Sequence, residues 1–399
     1  MNTANTASSA SSGKIKHLTA PQELYIPEGS VAQWRRGRLH FSFVARTSRS
    51  TMRVKDTYYI CVTTPDGRTV YAEVPLFAGL SAEGLTPAAI PAFEAALSDA
   101  CADPSRALQA GATTERNSDS DTRQTLFSAI AFGLESAAMA LGALPDTPWH
   151  RGETSIPING LIWMGSKDLM RKRIAEKLDT GFRVLKLKIG GIDFDDEIDL
   201  LAHIRRHFPA GELELRLDAN GSFTVDTAIE RLNRLAEFDI HSIEQPIRAG
   251  QLDAMADICR RSPIAIALDE ELIGVRDTKA KLALLEHIKP QYIILKPALC
   301  GGFRAASEYA ALAGDGHWWA TSALESNLGL YAIARWLDGL CPQRVTDGEL
   351  SNQFSMPQGL GTGQLYTDNI PSPLTMHSAG LWYRPDVPWQ TEKFFSEWV

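Results

Sequence analysis

No CxxC pair occurs in this chain, and its five cysteines (Cys61, Cys101, Cys259, Cys300, Cys341) are odd in number and widely scattered. That spacing suggests neither a zinc ribbon nor a disulfide framework, and reads as free thiols in a reducing compartment. Positive charge is not in excess: 40 Lys+Arg stand against 48 Asp+Glu, for a net charge of −8. Nucleic acids and anionic membranes demand basic patches, so neither is expected as a partner. No glycine-rich phosphate loop follows the first strand of the alternating region, which argues against a doubly wound nucleotide-binding sheet. The nine histidines include no HExxH-type pair. Long apolar runs are scarce as well. The nearest approach, Leu126 to Leu144, carries Glu135 and consists largely of Ala, Ser and Gly, so it reads as a helix buried between layers. Residues 1–14 lack the basic and apolar regions of a secretory signal and read as a disordered tail on a cytoplasmic protein.

What is present has a clear order. Residues 15–150 read as an α+β unit. Leu39 to Val44 alternates around aromatics, and Thr57–Thr64, the turn Pro65-Asp66-Gly67 and Arg68–Val74 form a hairpin pattern. Helical stretches follow near Pro87–Ala102 and Arg123–Leu141. Residues 151–363 change character. Short runs at Ile158–Met164, Val184–Ile189, Leu213–Leu217, Ser242–Glu244, Ile264–Leu268, Tyr292–Leu295 and Trp318–Thr321 alternate with segments of helical spacing such as Thr224–Phe238 and Asp277–His287. Strand and helix alternating this way imply an α/β fold with a parallel sheet, and seven or more units imply a closed (β/α) barrel. The Pro- and Trp-rich residues 364–399 are expected to return to the N-terminal unit.

The chemistry sits where those strands end. Lys186-Leu187-Lys188, Asp218-Ala219-Asn220, Glu244-Gln245-Pro246, Asp269-Glu270-Glu271, Lys296-Pro297 and Ser322 through Ser326 succeed one another at intervals of one βα unit. Strand C-terminal ends of a barrel converge on one pocket, so Lys188, Asp218, Glu244, Asp269 and Lys296 are expected to share it. One carboxylate after a strand is ordinarily a helix cap; three in register, flanked by lysines, are not. Three clustered carboxylates repel unless a cation joins them, and oxygen-only ligands select Mg²⁺ or Mn²⁺. The cation's charge lowers the proton affinity of the flanking lysines, so that one can act as a general base.

These residues resemble those of the enolase superfamily, in its muconate-lactonising subgroup, where a Lys base and Mg²⁺ are a known pattern. The resemblance implies a modified (β/α)7β TIM-like barrel with an α+β capping domain built from the N-terminal region and the C-terminal segment. It implies Asp218, Glu244 and Asp269 as metal ligands, Lys188 as the base and Lys296 as the opposing lysine. Four stretches resemble the o-succinylbenzoate synthases within that group: Ile156–Gly165, Ser322–Gly329, Gly359–Leu365 and Pro75–Ser81. That likeness implies a dehydratase of menaquinone biosynthesis. Such an enzyme removes water from 2-succinyl-6-hydroxy-2,4-cyclohexadiene-1-carboxylate in a syn elimination through a Mg²⁺-stabilised enediolate.

Supporting roles are expected for Lys186, which would tune Lys188 or touch a carboxylate, and for Glu270, which would orient a lysine. Ser322 would hydrogen-bond a substrate carboxylate or carbonyl, and Asn220 and Glu325 lie in the same strand-end groups. The cation-rich stretch Arg46–Lys55 reads as a loop of the cap that closes over a dianionic substrate. Three rivals remain at this level: an N-acyl amino acid racemase or dipeptide epimerase of the same superfamily, a Schiff-base aldolase using a strand-end lysine, and a binding protein with a dead barrel. A small carboxylate is the expected partner, and an oligomer is compatible with the sequence.

Overall fold

The structure is a computed structural model that describes residues 24–46, 51–82, 86–112, 126–340, 344–346, 349–351, 356–391 and 395. The expected tail 1–14, Cys341, residues 47–50 of the cation-rich stretch and residues 123–125 of the second cap helix lie outside the described residues.

The chain opens with an antiparallel meander, β1 (Val31–Arg46), β2 (Thr51–Thr63) and β3 (Thr69–Val74). The turn between β2 and β3 is closed by Gly67 N donating to the Thr64 carbonyl, with Gly67 at φ +84°, as the Asp-Gly pair demands. Helices α1 (Ile90–Ala102), α2 (Pro104–Ala112) and α3 (Ser128–Leu141) pack against this sheet. Nearly all of α3 is buried, which accounts for its apolar composition. None of the described helices is long and apolar enough to cross a membrane.

After the short strand β4 (Ser155–Pro157) come seven parallel strands that pair strictly in sequence order. They are β5 (Gly160–Ile162), β6 (Val184–Lys188), β7 (Glu214–Asp218), β8 (Ile240–Glu244), β9 (Ala265–Leu268), β10 (Tyr292–Leu295) and β11 (Trp318–Ala320). Helices α4 (Lys167–Asp179), α5 (Phe194–His207), α6 (Val225–Ala236), α7 (Leu252–Arg261) and α8 (Thr278–Ile288) fill the first crossovers. The short α9 (Pro297–Cys300) and α10 (Gly302–Ala313) follow β10, and α11 (Asn327–Leu340) follows β11. Each helix turns one apolar stripe to the sheet; in α6 it is Ala228, Leu232 and Leu235.

The sheet is closed by two residues. Gln358 N donates to the Pro157 carbonyl at 2.8 Å and Asn159 N to the Gln358 carbonyl at 3.0 Å, while Gly359 N donates to Ala320 O and Ser322 N to Gly359 O. Gln358–Gly359 therefore stands between residues 157–159, which lead into β5, and the end of β11 as the eighth stave of a barrel. Beyond it, β14 (Leu374–His377) and β15 (Gly380–Tyr383) extend β4 into a separate antiparallel sheet, after a small hairpin of β12 (Arg344–Thr346) and β13 (Glu349–Ser351). The C-terminal segment also reaches the first sheet: Thr367 N donates to the His40 carbonyl, and Phe395 stacks on Tyr71 at 4.5 Å.

Two glutamates pin the N-terminal unit to the barrel. Glu73 of β3 accepts from Ser326 N at 2.7 Å and from Ser326 Oγ, at the N-terminus of α11. Glu135 of α3 accepts from Phe303 N and Arg304 N, at the N-terminus of α10. A helix N-terminus carries unpaired N–H groups and partial positive charge, so each carboxylate meets a complementary partner. Gly302 makes the second contact possible: at φ +91°, a Cβ there would lie 2.6 Å from Glu135 Oε2.

Candidate active site

Alternation along β6 decides which side chains enter the barrel. Leu185 and Leu187 point outward into the helix–sheet core, so Lys186 and Lys188 point inward. By the same rule β7 sends Arg216 and Asp218 inward, and β8 sends Ser242 and Glu244. Parallel pairing then sets Lys188 beside Asp218 and Asp218 beside Glu244. Asp269 and Lys296 follow the last residues of β9 and β10. Below this layer Ala267, Ile294, Trp319 and Met356 fill the barrel, with the Arg216 guanidinium 4.5 Å from the Trp319 ring centre.

The five principal residues meet, through Lys186, as one network of six. Lys186 Nζ lies 2.9 Å from Asp218 Oδ2 and also bonds Glu244 Oε2. Lys188 Nζ donates to Asp218 Oδ2 at 2.8 Å and to Asn220 Oδ1 at 2.9 Å. Lys296 Nζ bonds Asp269 Oδ2 and lies 3.5 Å from Glu244 Oε1. Asn220 Nδ2 donates to Glu270 Oε1 at 3.2 Å, which steadies the amide that faces Lys188. Gln245 Oε1 accepts from Asp269 N at 3.2 Å and so fixes the start of that loop.

Charge follows contact. Burial opposes ionisation of Asp218, yet Lys186 and Lys188 outweigh it and hold the acid far below the usual carboxylate range. Burial, with repulsion from Asp218, pushes Glu244 up to about 7 despite Lys186 and Lys296. Burial likewise raises Asp269, against the pull of Lys296. The ammonium groups of Lys186 and Lys296 are both held above their ordinary value: burial opposes the charge, and the neighbouring carboxylates win.

The donor set suits a hard divalent cation. It is oxygen only, and burial makes the charges of Glu244 and Asp269 costly, a cost that a cation beside them would offset. Among the described residues no three His, Cys, Asp or Glu side chains are already set as a metal cage. Lysine ammonium groups take the bridging positions instead, Lys186 between Asp218 and Glu244 and Lys296 between Glu244 and Asp269.

A cavity of about 290 Å³ opens above this network. Lys186, Lys188, Asp218, Asn220 and Lys296 line its floor; Glu244 and Asp269 lie behind the lysines. Its other side is largely apolar, made by Leu161, Trp163 and Leu324 of the barrel and by Met52, Phe77 and Leu80 of the N-terminal unit. The cation-rich stretch thus contributes Met52 to the wall, and its described residues continue β1 and β2. Trp163 lies in the stretch Ile156–Gly165 but carries no individual role from sequence; its ring centre lies 5.9 Å from Lys188 Nζ.

Ser322 lines the cavity, but its hydroxyl is committed within its own turn. It donates to Glu325 Oε2 and accepts from Leu324 N at 3.0 Å and Glu325 N at 3.3 Å. Glu325 stays away from the cavity, fully buried, where burial pushes its carboxyl up to about 7. Leu324 in this turn has φ +66°, which costs a leucine on the order of 1–2 kcal/mol.

Comparison with known proteins agrees with this architecture. Residues 169–332 match the family described as enolase C-terminal domain-like. The o-succinylbenzoate synthase of Desulfotalea psychrophila is 43% identical over 87% of this chain and 97% of that protein. The crystal structure of MenC from Desulfotalea psychrophila superposes with a TM-score of 0.71 at 40% identity, covering 89% of this chain and 99% of that one. An o-succinylbenzoate synthase from Thermosynechococcus elongatus, complexed with Mg in its active site, shares the fold with a TM-score of 0.64 at 23% identity over 83% of this chain and 96% of that one. Strand order, the layer of acids and lysines and a relative matched along almost its whole length place this chain in the enolase superfamily, within the o-succinylbenzoate synthase family.

Proposed function

We propose that the chain is a Mg²⁺-dependent hydro-lyase that converts 2-succinyl-6-hydroxy-2,4-cyclohexadiene-1-carboxylate to o-succinylbenzoate, a step of menaquinone biosynthesis. The observation that carries this reading is the cavity itself, with Lys188 and Lys296 on its floor and an apolar wall above. Strands β6 and β10 are four apart in an eight-stave barrel, so the two lysines approach a bound ring from opposite sides.

Asp218, Glu244 and Asp269 would hold the Mg²⁺. When bound, the ion supplies positive charge beside the substrate carboxylate as that group gains electron density. Lys188, in its neutral form, takes the proton from the ring carbon that bears the carboxylate. The electron pair left behind forms the new ring double bond as the neighbouring C–O bond breaks. The protonated Lys188 gives its proton to the departing hydroxyl, which leaves as water from the same face. Asn220 holds the Lys188 amine toward that carbon, and Glu270 holds Asn220. Lys296 remains a fixed cation on the opposite face, a contact with the ring worth about 0.5–2 kcal/mol. Lys186 keeps Asp218 ionised and favours the ionised form of Glu244.

The test is an absorbance assay of dehydration with and without Mg²⁺, run beside deuterium wash-in from D₂O into an N-succinyl amino acid. Dehydration that needs Mg²⁺ supports the reading; exchange without dehydration replaces it with a racemase.

A further inference from the structure

Leu324 adopts a backbone conformation that leucine resists, since at φ +66° its Cβ crowds the following carbonyl. Its neighbours impose that conformation from both ends. The Leu324 N–H donates to Ser322 Oγ at 3.0 Å, and the Leu324 carbonyl accepts from the Tyr366 hydroxyl at 2.8 Å. Ser322 is in turn tied to Glu325, and Ser326 is gripped by Glu73 from the N-terminal sheet. The turn cannot relax without breaking several of these bonds together. Strained residues that persist because their surroundings over-determine them are concentrated where side-chain placement matters.

The strained residue also lines the cavity. The Leu324 side chain is only 8% exposed, belongs to one apolar cluster with Phe41, Trp163 and Tyr366, and faces the space above the lysines. Phe41 comes from β1 and pairs with Tyr366 across a bridge, so the cluster is backed by the N-terminal sheet. The side chain is thus braced from behind and cannot retreat.

We infer that Leu324 is a specificity-determining residue: the locked turn presses its isobutyl group into the cavity as the wall against which a flat, ring-bearing substrate is held. The inference rests on the reading proposed above and adds to it the residue that selects the ring.

Leu324→Gly suits the test, because glycine takes positive φ freely and the substitution removes wall and strain together. Leu324→Asn is a second variant, since asparagine tolerates the left-handed region and replaces an apolar surface by a polar one. In either variant the KM for the cyclohexadiene carboxylate is expected to rise about tenfold, the worth of one lost apolar contact, with a smaller fall in kcat. An unchanged KM in a folded variant overturns the inference. If neither variant folds, Leu324 is a packing residue and the inference is likewise overturned. If the wild-type chain does not dehydrate the substrate, the proposed function fails, and calorimetric titration with o-succinylbenzoate decides the inference separately. Binding about tenfold weaker to the variant than to the wild type supports it; equal binding, or none to either protein, overturns it.

Discussion

The Lys188 amine donates to the side-chain carbonyl of Asn220 at 2.9 Å, and Asn220 itself sits at φ +46°. An asparagine can take that backbone at little cost, so the position supplies both the turn and the acceptor. Asn220→Gly keeps the turn and removes the acceptor. Its kcat is expected to fall about 10–100-fold, since small misplacements of a reacting group cost that much, with KM nearly unchanged. Steady-state kinetics check this, and a wild-type kcat would remove Asn220 from the mechanism.

Lys188→Ala removes the proposed base outright. Dehydration should slow by at least about 10²–10⁴-fold, the usual contribution of positioned acid–base catalysis. Near-full activity in that variant would leave the proton without an acceptor and end the mechanism.

Mg²⁺ that binds only the folded chain must stabilise it, by about 2.7 kcal/mol at a hundred times its Kd. A thermal melt should therefore shift upward with added Mg²⁺, and EDTA should reverse both the shift and the activity. Asp269→Asn, which deletes one charge from the acid layer, should abolish most of the shift. A wild-type-sized shift in Asp269→Asn would mean that the ion binds elsewhere.

Glu135 gives a prediction about pH. Burial pushes its carboxyl from the ordinary 4.5 up to about 7, even though Arg304 and the N–H groups of Phe303 and Arg304 pull the other way. Between those two values the folded protein keeps a proton that the unfolded chain has lost, so this group makes stability fall as pH rises through the window. Glu135→Gln has no proton to lose there. Its stability relative to wild type should improve between about pH 5 and about pH 8 by on the order of 2 kcal/mol, measured by urea unfolding. A difference that is flat with pH would show that Glu135 is ionised throughout.

The barrel was legible because its strands are marked twice, by short β-branched or leucine-rich runs and by the charged residue that ends each run. Tyr292–Leu295 coincides with β10, and Val184–Ile189 overruns β6 by one residue. The closing stave was not legible: Gln358–Gly359 is two residues long, contains no apolar run, and pairs only through isolated bridges to the backbone around Ile158 and Thr321. Within the site, regular spacing brought out Lys188, Asp218, Glu244, Asp269 and Lys296. The same spacing could not show that Lys186 would bridge two acids, because that depends on inward-facing alternation and on pairing register. Trp163 and Met52 lie in stretches the sequence did bring out, Ile156–Gly165 and Arg46–Lys55, but their places in the cavity wall depend on tertiary packing. Glu135 stood out only as the lone charge in an apolar helix; that it caps a helix far along the chain is a fact of assembly.

The seam at Gln358–Gly359 has a consequence for how the molecule comes into being. Seven neighbouring strands can zip up in order as they emerge, each beside the one before, yet the lead-in to β5 and the end of β11 stay raw-edged until a dipeptide made much later slots between them. Chain released before residue 358 would carry two exposed edges, the arrangement most prone to pairing with a second copy. Truncated products of this sequence should therefore precipitate rather than form open, soluble half-barrels.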